Sequence, residues 1–445
     1  MAFGSIIKTL FAGKDSVEIS VDPFNRKAQH LPPKHDEASC PPPTEPCVTL
    51  QRSEIIGDGS RIVGYCFTPR CLSNLGLACT SGTIKAMKNE GLAQFAQRRL
   101  ALIPITIDDW LADDFSPIVG PLSTFLVAGP TPDCDINHWI DTLKAIRSSG
   151  ARVAIDSTVL IKHPRTLALI NLLLIDFNDY TVERLELLIK KLTSSQPQLD
   201  LAVDGIGSWP EHRLCQSLGI RYSLGGFATT ADEEAQTEEL NQSRLVLLEM
   251  LNLLRREAEV DELVAVAKRD PGVTVKMVAM ANSPMSGLSS PVSSINQALM
   301  VLGRETLYRW LALGVYRAGG NERDEALLEI ALFRASFLEL LGKESRSKQE
   351  SDELYLVGMF SLLDSLLGMP MTGVIERMHL PPVVVDVLLR SEGPYGRYLM
   401  LAMAMGKNQS DHVARLAEEL GIALETVEKH SSTAFAFAEE ALKAS

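Results

Sequence analysis

The chain has 445 residues, a formal net charge of −13, 46% hydrophobic and 22% charged residues. This is room for two or three ordinary globular domains, and the acidic balance argues against a nucleic-acid surface, which carries a basic patch or stripe. No apolar run is long enough to span a bilayer, and residues 1–13 lack the continuous apolar core and cleavage site of a secretory signal, so a cytoplasmic protein with no membrane contact is expected. The seven cysteines, at 40, 47, 66, 71, 79, 134 and 215, form no Cys-x-x-Cys pair. Zinc and thioredoxin spacings therefore fail, and reduced thiols are expected.

In chain order, residues 1–47 hold seven of the 23 prolines and read as a disordered lead-in. The dipeptide His35-Asp36 falls there, off any helix that could make it a metal site. Residues 48–230 alternate short apolar runs with helical patterns. Strands are predicted over 100–107, 124–128, 152–155, 172–176 and 199–203, with helices over 136–148, 180–193 and 211–218. Such alternation implies a parallel sheet with helical crossovers. The segment spans 183 residues (48 to 230), short of the roughly 200 usual for an eightfold barrel, which points to a truncated or distorted one. Residues 231–243 are acidic and polar and read as a linker. From Arg244 onward strand signals vanish. Leu245, Leu248, Leu251 and Leu254 recur at helical spacing, as do Leu327, Ile330, Ala331 and Phe333. Asp261 and Asp270-Pro271 bracket one short helix with start and stop chemistry, and Pro381-Pro382 starts another. Trp310, Tyr308 and Tyr316 share one predicted helix, as a binding face or as core. The methionine-rich run Leu399–Met405 reads as core or as an adaptable partner surface. Asp411 reads as a helix N-cap.

The run Ile62-Val63-Gly64-Tyr65-Cys66-Phe67-Thr68-Pro69-Arg70 resembles the first strand of the EAL family of bacterial cyclic di-GMP phosphodiesterases. Ala151–Thr158, Leu172–Phe177, Leu201–Gly207 and Leu224-Gly225-Gly226-Phe227 resemble, in order, its later strands and closing turn. The resemblance implies a barrel whose active members hold two divalent cations on acidic residues and an asparagine. Yet no glutamate occurs from Gly91 to Val182 and no asparagine from Glu90 to Ile136. By this alignment Cys66 stands at the lead glutamate, Pro104 or Thr106 at the asparagine, and Val127 or Ala128 at the third-strand glutamate. Ser157 follows Asp156 in the paired-aspartate position. Leu174 stands at the lysine, Asp204 at the next glutamate and Leu224 at the glutamine. Arg70 aligns with a residue that touches phosphate, and Asp176 reads as facing solvent or a helix end. Two carboxylates do not hold a pair of dications.

The later segment, from about residue 240 to 442, resembles the HDOD family. The resemblance rests on Asp270–Val278, Asn282–Gly287, Ser294–Leu299 with Leu302-Gly303, Ala331–Ala335 and Leu356–Asp364. That family is similar to HD-type phosphohydrolases without their metal site. Here no histidine occurs from Arg213 to Met378, and His379, His412 and His430 lack metal-ligand spacing.

The expected architecture is thus α/β plus all-α: a disordered segment 1–47, an EAL-like barrel 48–230, a linker 231–243 and an HDOD domain 244–445. The expected function is a non-catalytic bacterial signal-transduction regulator. It would act by protein–protein contact in a cyclic di-GMP-related pathway such as motility or biofilm control, without metal, cofactor or catalytic residues. The partners implied are a diguanylate cyclase, a phosphodiesterase or a sensor kinase, with a homodimer through the helical domain as a further expectation. The alternative is a cyclic di-GMP receptor using the vestigial positions Arg70, Asp156 and Asp204. A residual hydrolase is the third reading.

Overall fold

The computed structural model describes residues 48–71, 80–232, 242–282, 292, 294–407 and 409–443. The proline-rich lead-in, most of the expected linker and Ser283–Gly287 lie outside the described residues.

Eight strands, β1 (Val48–Ile56), β2 (Ile62–Cys71), β3 (Leu100–Ile105), β4 (Ser123–Val127), β5 (Arg152–Asp156), β6 (Leu172–Asp176), β7 (Asp200–Asp204) and β8 (Tyr222–Leu224), close into a barrel in sequence order. β1 runs antiparallel to both its neighbours and β2 to β8 run parallel. The barrel is complete, and its departure from the regular eightfold pattern is this reversed strand. β1 and β2 are joined by a tight hairpin instead of a crossover helix, so the ring closes in fewer residues than a regular repeat needs.

Side chains alternate across the wall. Ile55, Leu100, Leu102, Ala154, Leu172, Leu174, Ala202, Tyr222 and Leu224 fill the interior. Their neighbours Ala101, Ile103, Phe125, Val153, Ile155, Leu173, Leu201 and Val203 face the surrounding helices. Both faces are buried, which is why these strands read as unbroken apolar runs. The longer barrel helices are α1 (Thr80–Asn89), α2 (Ile136–Ser148), α3 (Val182–Ser195) and α4 (Trp209–Ser217).

From Gln242 the described elements are all helical: α5 (Gln242–Arg255), α6 (Val260–Ala267), α7 (Pro271–Ala281), α8 (Ile295–Arg317), α9 (Glu322–Ser345), α10 (Lys348–Phe360), α11 (Pro382–Arg390), α12 (Gly396–Gly406), α13 (Ser410–Leu420) and α14 (Leu424–Lys443), with two shorter helices between α10 and α11. α9 is the axis of this bundle and is buried on nearly every side. It lies against α10 at Gly358, where an added Cβ would stand 2.4 Å from the Ala335 backbone nitrogen. Only glycine permits that approach. Asp411 sits inside the first turn of α13, whose N-cap is Gln409; its carboxylate suits the helix dipole there without capping it.

The two domains share one seam. The hairpin tip packs on the start of α9, and a Cβ at Gly59 (φ 73°) would overlap Glu322. Phe435 of α14 inserts among Tyr65, Phe67 and Phe95, with ring centroids 5.1–6.2 Å from its own. The Arg52 guanidinium lies 4.7 Å over the Phe435 ring. Around this plug, Arg99 donates to both carboxylate oxygens of Glu329 at 2.8 and 2.9 Å and also to Glu439. Tyr65 donates to Glu329 at 2.6 Å. Arg52 pairs with Glu90 and donates to Ser431 at 2.9 Å.

Phe435→Ala should therefore cost about 3 kcal/mol of unfolding free energy, the usual scale for emptying a buried aromatic site. Equilibrium denaturation followed by circular dichroism measures it.

Candidate functional site

In parallel barrels the carboxyl ends of the strands form the functional face. Here that mouth is carried by Arg70 of β2, Asp156 of β5, Asp176 of β6 and Asp204 of β7. The last two are direct register partners on adjacent strands. Below them Cys66 and Leu126 pack against the interior cluster with Leu174 and Leu224, so the floor of the mouth is apolar.

Each aspartate already serves its own loop. Asp156 accepts from the Thr158 amide at 2.7 Å and caps the short helix Ser157–Lys162. Asp176 accepts from the Asn178 amide at 2.9 Å, and Asp204 from the Gly205 amide at 2.7 Å. The Asp204 carboxyl is raised above the usual range chiefly by partial desolvation. The Gly205 amide opposes the rise, and the charges of Asp176 and Asp156 add to it. Tyr180 donates to Ser157 Oγ at 3.3 Å, and its hydroxyl is pushed up to about 12, mainly by burial.

Cys66 is pushed up to about 12 by burial, with Thr68 opposing and Asp204 reinforcing the rise. A thiol held neutral is a poor metal ligand and a poor nucleophile. Arg70 is half-buried, and its Nε is buried without a hydrogen-bond partner. No acidic side chain pairs with it among the described residues.

The structure thus gathers all three residues singled out from the sequence, Arg70, Asp156 and Asp204, at one end of the barrel, and adds Asp176. Taken singly, Asp176 read as a solvent-facing strand end; its place beside Asp204 follows from strand register. The third-strand position also needs correction. Leu126 faces inward, whereas Val127 belongs to the outer core. A one-residue slip of assignment exchanges the two faces. Thr106 caps the helix Ile107–Ala112 and accepts from the Asp109 amide at 3.1 Å.

The donor set does not fit a pair of divalent cations. The Cys66 thiol is neutral, leucines fill the floor, and no three His, Cys, Asp or Glu side chains gather closely enough for a metal ion among the described residues. In the helical domain His379 and His412 are exposed, while His430 is buried and contacts Glu344 at 2.9 Å. Tyr316 is fully buried and donates to the Met359 carbonyl at 2.6 Å. Trp310 lines a groove of about 1,270 Å³ bounded by α8, α9 and α14. Along the methionine run, Met400 is 42% exposed and Met405 is buried.

Residues 242–368 match the HDOD domain family. A stretch of 168 residues is 31% identical to a cyclic di-GMP phosphodiesterase, CdgJ, of Vibrio cholerae, covering 38% of each chain. Another of 177 residues is 29% identical to the uncharacterized protein YuxH of Bacillus subtilis, covering 39% of this chain and 43% of that one. The matches therefore span about two fifths of these relatives. Among solved structures, an EAL domain protein of Listeria monocytogenes aligns with a TM-score of 0.31 at 12% identity, over 40% of this chain and 85% of that one. A standalone EAL protein of Vibrio cholerae in its c-di-GMP-bound form aligns with a TM-score of 0.32 at 16% identity, over 41% and 91%. The expectation of a non-catalytic chain is corrected by these comparisons, because a relative that matches it is named as a phosphodiesterase.

In the native protein at pH 8, iodoacetamide should modify Cys134, which is partly exposed, at least about tenfold faster than Cys66, since alkylation follows the thiolate fraction. Peptide-level mass spectrometry reads both rates.

Proposed function

We propose that the chain works in cyclic di-GMP-related signalling, and that the barrel mouth receives a phosphate of the dinucleotide with Arg70 as its partner. Arg70 carries this reading: a half-buried guanidinium with an unsatisfied Nε stands at the end of β2, on the face where barrels bind ligands. A buried donor left unpaired is costly, and a phosphate oxyanion matches the guanidinium fork. The HDOD match and the relative named as a cyclic di-GMP phosphodiesterase support the choice of ligand.

Asp156, Asp176 and Asp204 repel a bare anion at the same mouth, so added magnesium or manganese should strengthen binding by screening them. In this reading the partners are other cytoplasmic signalling proteins: diguanylate cyclases, phosphodiesterases or sensor kinases. A second copy of the chain is a further partner. No helix among the described residues is long and apolar enough to cross a membrane.

Calorimetric titration of the full chain with cyclic di-GMP, with and without each metal ion, tests the proposal. Saturable binding is expected, and Arg70→Ala should weaken it about tenfold or more, which is ~1.4 kcal/mol or more. Chromatography of the same samples measures conversion to the linear dinucleotide, so binding and hydrolysis are read separately. Absence of binding in every condition overturns the proposal.

A further inference from the structure

The groove bounded by α8, α9 and α14 has a volume of about 1,270 Å³. Small-molecule pockets run to roughly 300–1,000 Å³, whereas a helix about 10 Å across would fill this space with roughly three turns. Trp310 and Leu313 stand three residues apart on the α8 wall, Leu340 lies on α9, and Phe437 and Leu442 on α14. None of the five is fully buried, and Phe437 is 36% exposed. Most charges around the groove are already paired: Arg99 with Glu329 and Glu439, Arg309 and Lys343 with Glu339, and Asp324 with Arg244. Arg61 and Arg98, at the barrel end of the groove, are exposed and have no acidic partner among the described residues.

The chain carries a segment with the matching pattern. Its first proline is Pro23, so the proline argument for a disordered lead-in does not reach residues 1–22. Within them Phe3, Ile6, Ile7, Leu10 and Phe11 follow the i, i+3, i+4, i+7, i+8 spacing of a helix that lies in an apolar groove. At 100° per residue they cover an arc of about 140°, with Ser5, Lys8 and Thr9 opposite. Residues 14–22 then carry Asp15, Glu18 and Asp22 against one cation, Lys14, a balance complementary to Arg61 and Arg98. The connection also reaches. β1 starts at Val48, at the far end of the β1–β2 ladder from Ile62, and Ile62 lines the groove. The gap is the length of β1, about 30 Å at 3.3 Å per residue. Residues 12–47 number 36. A random coil of that length averages about 33 Å end to end, and an extended proline-rich chain reaches about 110 Å.

We propose that residues 3–11 of the chain itself dock in this groove as an amphipathic helix, and that the acidic residues 15–22 return to the barrel across Arg61 and Arg98. Spacing, charge and reach all select this occupant. A tether of such length holds the segment at about millimolar effective concentration, so a modest intrinsic affinity keeps it seated. The docked segment covers Phe437 and Glu439 and closes the groove to other helices. The proposal does not rest on the dinucleotide reading.

The test uses the full chain. In wild type the amides of residues 3–11 should exchange at least about tenfold more slowly than in a synthetic peptide of residues 1–22, as millimolar tethering of a modest binder allows. Ile7→Asp and, separately, Phe437→Asp should abolish that protection. Ile7→Asp alters no described side chain, and an unchanged melting curve separates undocking from unfolding. The same peptide, fluorescently labelled, should bind the Ile7→Asp chain at least about tenfold more tightly than wild type, whose groove is filled. A photoreactive phenylalanine analogue placed at Ile6 should cross-link to α8, α9 or α14 of its own chain, as read by mass spectrometry on mixed light and heavy-isotope chains. Exchange of residues 3–11 in wild type at the free-peptide rate overturns the proposal. So do cross-links that fall outside the groove or on a second chain.

Discussion

The structure depends on how the outer face of the β1–β2 hairpin is covered. In a regular βα repeat each crossover helix shields the strand beside it. Here the first two strands are joined by a tight turn, and barrel groups such as Phe95 cover only part of the face that carries Leu50, Ile56, Tyr65 and Phe67. All four are nonetheless buried, at 0–5% exposure. The helical domain supplies the rest of the shielding. α14 delivers Phe435, and α9 delivers Glu329 to the Tyr65 hydroxyl and the Arg99 guanidinium. The two domains are therefore one packing unit, each completing a surface the other leaves bare.

That arrangement explains which parts of the chain could be read in advance. β6 and α2 match their predicted spans residue for residue, and β5 and β7 to within a residue. They are standard βα units with apolar runs and clean ends. β1 was not legible. Its stretch Gln51-Arg52-Ser53-Glu54 is polar on both faces, because Arg52 and Glu54 point into a seam whose other half lies hundreds of residues away. β8, three residues long, offers too little pattern for periodicity. The mouth was half legible. Arg70, Asp156 and Asp204 were found at strand ends, whereas Asp176 was missed because pairing across register is not written in local sequence. The third-strand side chain was placed at Val127 or Ala128, one or two residues past the inward-facing Leu126, since a strand buried on both faces gives no polar alternation to fix its phase.

The seam also shows why charged groups occupy an interface that apolar packing alone could hold. Replacing a buried ion network by well-packed hydrophobes is often neutral or stabilising, so such a network is weak evidence for stability. What it supplies here is geometry. The Glu329 carboxylate engages Arg99 through both oxygens while one of them also accepts from Tyr65, a three-way fit that a sliding apolar face would not impose. The aromatic plug of Phe435 provides the area, and the ionic ring fixes the angle at which the helical domain sits on the barrel.

β2 then joins the two ends of the molecule. Tyr65 and Phe67 face the seam, while Cys66 packs inward and Arg70 ends at the mouth. A strand hydrogen-bonded on both sides within a closed ring cannot shift alone. A displacement of Arg70 on meeting an anion must be absorbed by bending the last residues of β2 or passed along the strand toward Tyr65. The ladder with β1 runs from Ile62 through Cys71 and stiffens both routes. The stiffer the ladder, the more of any ligand-induced strain reaches the Tyr65–Glu329 hydrogen bond. Mouth and seam are thus mechanically adjacent, although their side chains never touch.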